Sequence, residues 1–159
     1  MEGKFDEELP AKGKEAFLRS FVRKILESQH PPKEVDNTFP FGSTVIKITE
    51  VDADCPTERD IPRIVWNAAL VLCSYIHEVL PEGSLTGKRV VDLGAGTGIL
   101  GILCATKGAH VTITEINSTE CDNIRRNVGH NTAAIDAAGG SVKVDICDWT
   151  KCKYLTPRS

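Results

Sequence analysis

No stretch of this sequence is apolar for long enough to cross a bilayer, no two cysteines stand in Cys-x-x-Cys spacing, and basic residues do not outnumber acidic ones. A membrane-spanning helix needs about 20 predominantly apolar residues, so none is expected. The opening residues, MEGKFDEELPAKGKEAF, hold neither an apolar core nor a small-residue cleavage site, which predicts residence in the cytoplasm or the nucleus. A net charge of −3 supplies no broad positive field for phosphate backbones, so nucleic acid is not the expected partner. The six cysteines fall largely inside apolar helical or strand patterns and are read as reduced structural thiols. Zinc held by Cys147, Cys152 and His130 would require a spacing unlike the usual finger and ribbon patterns, and no metal is expected. Internal repeats and low-complexity segments are also missing. With 159 residues, 41% of them apolar, the chain can bury one core, which predicts one domain with an N-terminal appendage and a monomeric state.

What is present is periodicity. Phe17, Leu18, Phe21, Val22, Ile25 and Leu26 recur at helical spacing over residues 11–29, opposite Lys and Arg, and His30-Pro31-Pro32 ends the pattern. That is an amphipathic surface helix. Residues 38–51, TFPFGSTVIKITEV, read as a strand or hairpin, followed by a polar loop, VDADCPTERDIP. From Ile64 to Leu80 the pattern becomes helical, with Ala68, Ala69, Leu72, Cys73, Ile76 and Leu80 as the expected apolar face. Strands are then predicted over 88–93, 110–114 and 141–146, with helices over 98–107 and 118–130 between them. Strands that alternate with helices pair in parallel, and the fold class is a doubly wound α/β sheet.

Four glycines fall within VVDLGAGTGILG, residues 90–101, where the first of these strands ends. Ligands of open α/β sheets bind beyond the carboxyl ends of the strands, and this loop lies there. Glycine lets the backbone turn with positive φ and lets a cofactor touch it, while the next helix presents free N–H groups to an anion. The run Gly96 to Gly101 also satisfies G-x-G-x-x-G, the dinucleotide fingerprint. In that register, however, Gly94 and Ala95 intervene between strand and motif, and Asp92 occupies a normally apolar strand position. Glu115 ends the second strand 23 residues after Asp92, where a carboxylate can accept both hydroxyls of a ribose. A dehydrogenase would use such a residue in the same way. After the third strand comes Cys-Asp-Trp-Thr: Asp148 can accept from an adenine amino group, and Trp149 can lie on the base or in the core.

The other register, Asp92-Leu93-Gly94-Ala95-Gly96-Thr97-Gly98, resembles motif I of the S-adenosylmethionine-dependent methyltransferases with a Rossmann-like seven-strand fold. Here a carboxylate at Asp92 can orient backbone N–H groups or meet the ammonium of the methionine moiety. The combination of IVWNAALVL from Ile64 to Leu72, GKRVVDLGAGTGILGILCATKGAHVTITEI and DWT is similar to methyltransferase family 16, the methyltransferase-like 21 type of protein-lysine methyltransferase, over roughly residues 38–150. That resemblance implies S-adenosylmethionine as cofactor, a lysine-bearing protein such as a chaperone or ATPase as substrate, and a cofactor site at Trp66, Asp92, Gly94, Ala95, Gly96, Glu115, Asp148 and Trp149. Asn67 stands where the family commonly has aspartate. The implied domain covers residues 38–159, preceded by a helix and linker over 1–37.

The family places an acidic-x-x-aromatic motif after a fourth core strand, and this sequence stops at KCKYLTPRS, after the third. Tyr154 does not replace it, because Lys151 sits three residues before it. Only about the first half of the seven-strand sheet is expected, preceded by a helix and β-hairpin, with the first core strand left as an edge. A truncated chain of weak or no activity is the corresponding functional expectation. A catalytically inactive isoform acting as a binding or regulatory protein is the second reading, and a nucleotide-dependent oxidoreductase the third.

Overall fold

The computed structural model of the chain describes residues 33–52 and 61–151. The helix expected over 11–29, and Cys55 and Cys152, lie outside them. Strands β1 (Lys33–Phe41) and β2 (Thr44–Asp52) form a hairpin, joined through Gly42 and Ser43. A 3-10 turn at Ile61–Arg63 leads into helix α1 (Asn67–Glu78). Strand β3 (Arg89–Leu93), helix α2 (Ile99–Ala105), strand β4 (His110–Glu115), helix α3 (Ser118–Ala137) and strand β5 (Ser141–Ile146) follow in alternation.

The three strands of the second half form one parallel sheet in the order β3-β4-β5, so among the described residues β3 is an edge. Register puts Val90 beside Val111 and Val142, and Asp92 beside Ile113 and Val144. Because side chains alternate across a strand, these residues share one face. On that face Val111 and Ile113 are buried with Ile99, Ile102 and Leu103 of α2, Ile124 and Ile135 of α3, and Ile46 and Ile48 of β2. Val91 and Leu93 point the other way and are 61% and 59% exposed.

The boundary between the expected appendage and domain, at 37/38, falls inside β1. The third sheet strand matches its expected span, but both later helices differ in length. α2 ends at Ala105, two residues before the expected Lys107, and α3 runs to Ala137, a further seven beyond His130. The extension is anchored by Asn131 and Ile135, which α3 buries against β2 and the sheet.

α1 needs a larger correction. It begins at Asn67, with Trp66 as its N-terminal flanking residue in extended conformation, so Ile64 and Val65 lie outside the helix. Its packed residues are Ala69, Leu70, Cys73 and Ile76, whereas Leu72 of the expected face is 43% exposed and Ala68 is also exposed. Among the described helices and strands α1 contacts α2 alone, and a single neighbour covers only a narrow stripe. Val71, Tyr75 and Val79 are therefore exposed as well.

Candidate cofactor-binding site

Beyond the carboxyl end of β3 the chain makes a tight loop, Gly94 to Gly98, before α2 begins. Gly94 and Gly96 have φ of +64° and +57°, a region that side-chain-bearing residues rarely enter. Neither has room for a Cβ without crowding: one at Gly94 would lie 3.0 Å from the Trp149 ring, and one at Gly96 would lie 3.3 Å from the Pro62 carbonyl oxygen. Both the turn and its closely packed neighbours call for glycine.

The loop is held from outside itself. Ala95 N–H donates to the Thr114 carbonyl at 3.1 Å, and Gly96 N–H donates to Glu115 Oε1 at 2.9 Å. Glu115 Oε2 accepts from Ile116 N–H at 2.8 Å. The carboxylate is 8% exposed and has one backbone donor on each oxygen, which leaves a second lone pair on each for a vicinal diol.

Two open pockets meet at Gly94 and Glu115. One, about 330 Å³, is bounded by Pro62, Ile64, Trp66, Ala95, Gly96 and Thr97. The other, about 280 Å³, is bounded by Ile116, Cys147, Asp148, Trp149 and Thr150. Seven of the eight residues singled out in the sequence, Trp66, Gly94, Ala95, Gly96, Glu115, Asp148 and Trp149, thus surround one continuous groove along the strand ends. Trp66 and Trp149 are 57% and 62% exposed, so neither is a core aromatic in this structure.

Asp92 is the exception. It lines neither pocket and turns behind the loop, where its Oδ2 accepts from Gly101 N–H at 3.0 Å. Burial pushes its carboxyl above the ordinary value, with the Gly101 N–H opposing and the Glu115 charge adding to the rise. Of the two roles weighed for it, orienting a backbone N–H matches this position, though the N–H is that of Gly101 in the first turn of α2; contact with a ligand ammonium does not. Asp148 is occupied too. Its Oδ1 accepts from Thr150 N–H and hydroxyl at 3.0 and 2.6 Å, and its Oδ2 pairs with Lys151 at 2.7 Å. The Lys151 contact, then the two from Thr150, hold its carboxyl down to about 2.

Sequence reasoning missed several residues that shape this groove. Glu50 of β2 accepts from Val65 N–H at 2.6 Å and from Asn37 Nδ2 at 2.8 Å, fixing the segment that delivers Trp66. The Trp66 indole N–H then donates to the Ile61 carbonyl at 3.0 Å. Ile116, next to Glu115, supplies an apolar wall of the second pocket. Asn127 reaches the loop by donating to the Thr97 carbonyl, and it is one of three asparagines buried along α3, with Asn123 and Asn131, which do not line the groove. Their i, i+4, i+8 spacing among apolar inward positions was the available signal.

A larger cavity, about 530 Å³, opens at the opposite end of the strands, beside His77, Lys107 and the 81–86 loop. The carboxyl ends of α1, α2 and α3 lie beside it, and their carbonyl dipoles disfavour an anionic ligand. Lys107 Nζ lies 3.2 Å from His77 Nδ1 there.

A parallel sheet with a glycine loop after its first strand and an acidic residue ending its second defines the Rossmann-like class of nucleoside-cofactor proteins. The chain belongs to the Methyltransf_16 family, described as lysine methyltransferase, whose model matches residues 46–157. It is 44% identical over 99 residues to EEF1A lysine methyltransferase 3 of Xenopus tropicalis, covering 62% of this chain and 42% of that protein. Protein N-lysine methyltransferase METTL21A of Danio rerio is 49% identical over 55 residues, covering 35% and 24%. Methyltransferase-like protein 22 of Mus musculus is 36% identical over 113 residues, covering 71% and 28%. The chain spans less than half the length of these relatives. In fold it is similar to the Thermus thermophilus 16S rRNA N2 G1207 methyltransferase RsmC, solved with AdoMet and guanosine, with a TM-score of 0.55 and 20% identity over 80% of this chain and 30% of that one.

Proposed function

We propose that this chain binds S-adenosylmethionine in the Trp66–Trp149 groove and belongs to an enzyme that methylates a lysine side chain of a protein. The observation that carries the reading is the carboxylate of Glu115, clamped to the glycine loop by one oxygen and still able to accept two hydroxyls. The ribose is assigned to Glu115, the methionine end to the pocket between Trp66 and Ala95–Thr97, and the adenine to the pocket between Ile116 and Trp149. A flat base suits the second pocket because its lining includes the apolar Ile116 side chain and the Trp149 indole. Asp148 retains lone pairs beyond those used by Thr150 and Lys151 and can accept from an exocyclic amino group.

The cofactor's sulfonium supplies both the methyl group and its leaving group, so no metal enters the reading. The chain's own part is to align the reacting atoms and keep water from the groove. The acceptor amine must be neutral, since an ordinary lysine is almost wholly protonated near pH 7. Among the described residues no acidic-x-x-aromatic motif follows a fourth strand, so they account for cofactor binding rather than for lysine binding. Protein substrates follow from the family; an elongation factor, a chaperone and an ATPase are the acceptors to compare. Residence in the cytoplasm or nucleus and a monomeric state complete the reading. No described helix is long and apolar enough to cross a membrane.

Titration calorimetry with S-adenosylhomocysteine and with NAD tests the site: the first is expected to bind and the second not. Methyl transfer from labelled S-adenosylmethionine to the three candidate acceptors tests the activity. Binding without transfer to any protein lysine would favour the non-catalytic reading, and binding of NAD alone would overturn the methyltransferase assignment.

A further inference from the structure

The junction between the glycine loop and α2 exchanges its hydrogen-bond partners. A helix continuing back through Thr97 would pair Gly101 N–H with the Thr97 carbonyl, as Ile102 N–H pairs with the Gly98 carbonyl at 3.0 Å. Instead Gly101 N–H goes to Asp92, and the Thr97 carbonyl accepts from Asn127 Nδ2 at 2.9 Å. Asn127 is fully buried, and its Oδ1 accepts from Thr49 N–H of β2 at 2.8 Å. One amide side chain therefore joins the hairpin to the loop that lines the groove.

We infer that Asn127 is a positioning residue for the cofactor loop, holding Thr97 and hence Gly96 in the shape that receives the ligand. This inference rests on the proposed role of that loop in binding S-adenosylmethionine. Without the Asn127 donor, the buried Thr97 carbonyl loses its side-chain partner and the loop samples other conformations. Apparent affinity then falls by the fraction of molecules that keep the competent loop.

Asn131 provides the internal control. It lies one turn further along α3, its Oδ1 accepts from Lys47 N–H at 3.0 Å, and its Nδ2 donates to the Lys47 carbonyl at 2.8 Å and to the Asn127 backbone carbonyl at 2.7 Å, which involves no atom of the Asn127 side chain. It thus bridges the same strand and helix without touching the loop. Asn127→Ala and Asn131→Ala are both expected to lower Tm. Only the first is expected to speed amide hydrogen exchange at Ala95, Gly96 and Gly98 in the free chain, and to weaken S-adenosylhomocysteine binding roughly tenfold. Asn131→Ala should leave that affinity within about twofold of the parent.

If Asn127→Ala does not fold, Asn127→Asp keeps the acceptor toward Thr49 and removes the amide donor toward Thr97. It is expected to reproduce the loop's faster exchange. Loop exchange unchanged in the folded Asn127 variant, or raised equally by Asn131→Ala, overturns the inference. A parent chain that binds no S-adenosylhomocysteine sinks the cofactor reading instead, and the exchange comparison still decides the role of Asn127.

Discussion

Among single residues, Glu115 couples the shape of the loop to recognition of the sugar. Glu115→Ala removes the acceptor for Gly96 N–H together with both proposed ribose contacts. Hydrogen bonds to a charged group contribute about 1.5–3 kcal/mol each, so losing two weakens binding by about a hundredfold or more. Calorimetry with S-adenosylhomocysteine checks this, and an affinity within about threefold of the parent would contradict it. Asp92 contributes through a different balance. Its raised pKa means that the folded chain holds the proton more tightly than the unfolded one, so stability is lost as pH rises from the unfolded value through the folded one. The substitution Asp92→Asn keeps an acceptor for Gly101 N–H but carries no charge. The Tm difference, variant minus parent, is expected to grow between about pH 4 and pH 7; a difference that does not vary with pH would refute it.

Among the elements, α3 carries more than its sequence suggests. Asn117 caps its start by accepting from Glu120 N–H at 3.1 Å, and Asn117→Ala is expected to cost about 1 kcal/mol in denaturant unfolding. The existence of β3, α2, β4, α3 and β5 was legible because apolar periodicity depends on local sequence alone. The ends of the helices were less so. α3 extends past His130 because β2, distant in sequence, accepts and donates through Asn131 and Asn127. The orientation of α1 was misjudged for a related reason: Leu72 and Val71 are as apolar as buried residues, and only the absence of a second neighbouring element among those described leaves them exposed. Buried Cys73 and Cys104, whose thiols burial pushes up to about 12 and 11, behave as packing residues, as expected from the sequence.

Across the described chain, the parallel sheet has one packed face and one open face. Ile113 is fully buried, and Ile113→Ala is expected to cost about 2–5 kcal/mol. Val91, in the neighbouring strand but facing the other way, is 61% exposed, and Val91→Thr is expected to stay within about 0.5 kcal/mol. Equal costs in denaturant titrations would show that the second face is covered in solution.

The alternation of strands and helices, the glycine loop, the acid that ends β4 and the family itself could all be read before any fold was known. Each is written in adjacent residues whose spacing or backbone freedom carries its meaning. Three-dimensional packing was needed to show that Trp66 and Trp149 flank a single groove, that Asp92 stands behind the loop, and that Asn127 ties the loop to Thr49, 78 residues before it in the chain. Such contacts arise from how α3 lies across β2 and the strand ends, and local periodicity does not encode the partner of a buried amide.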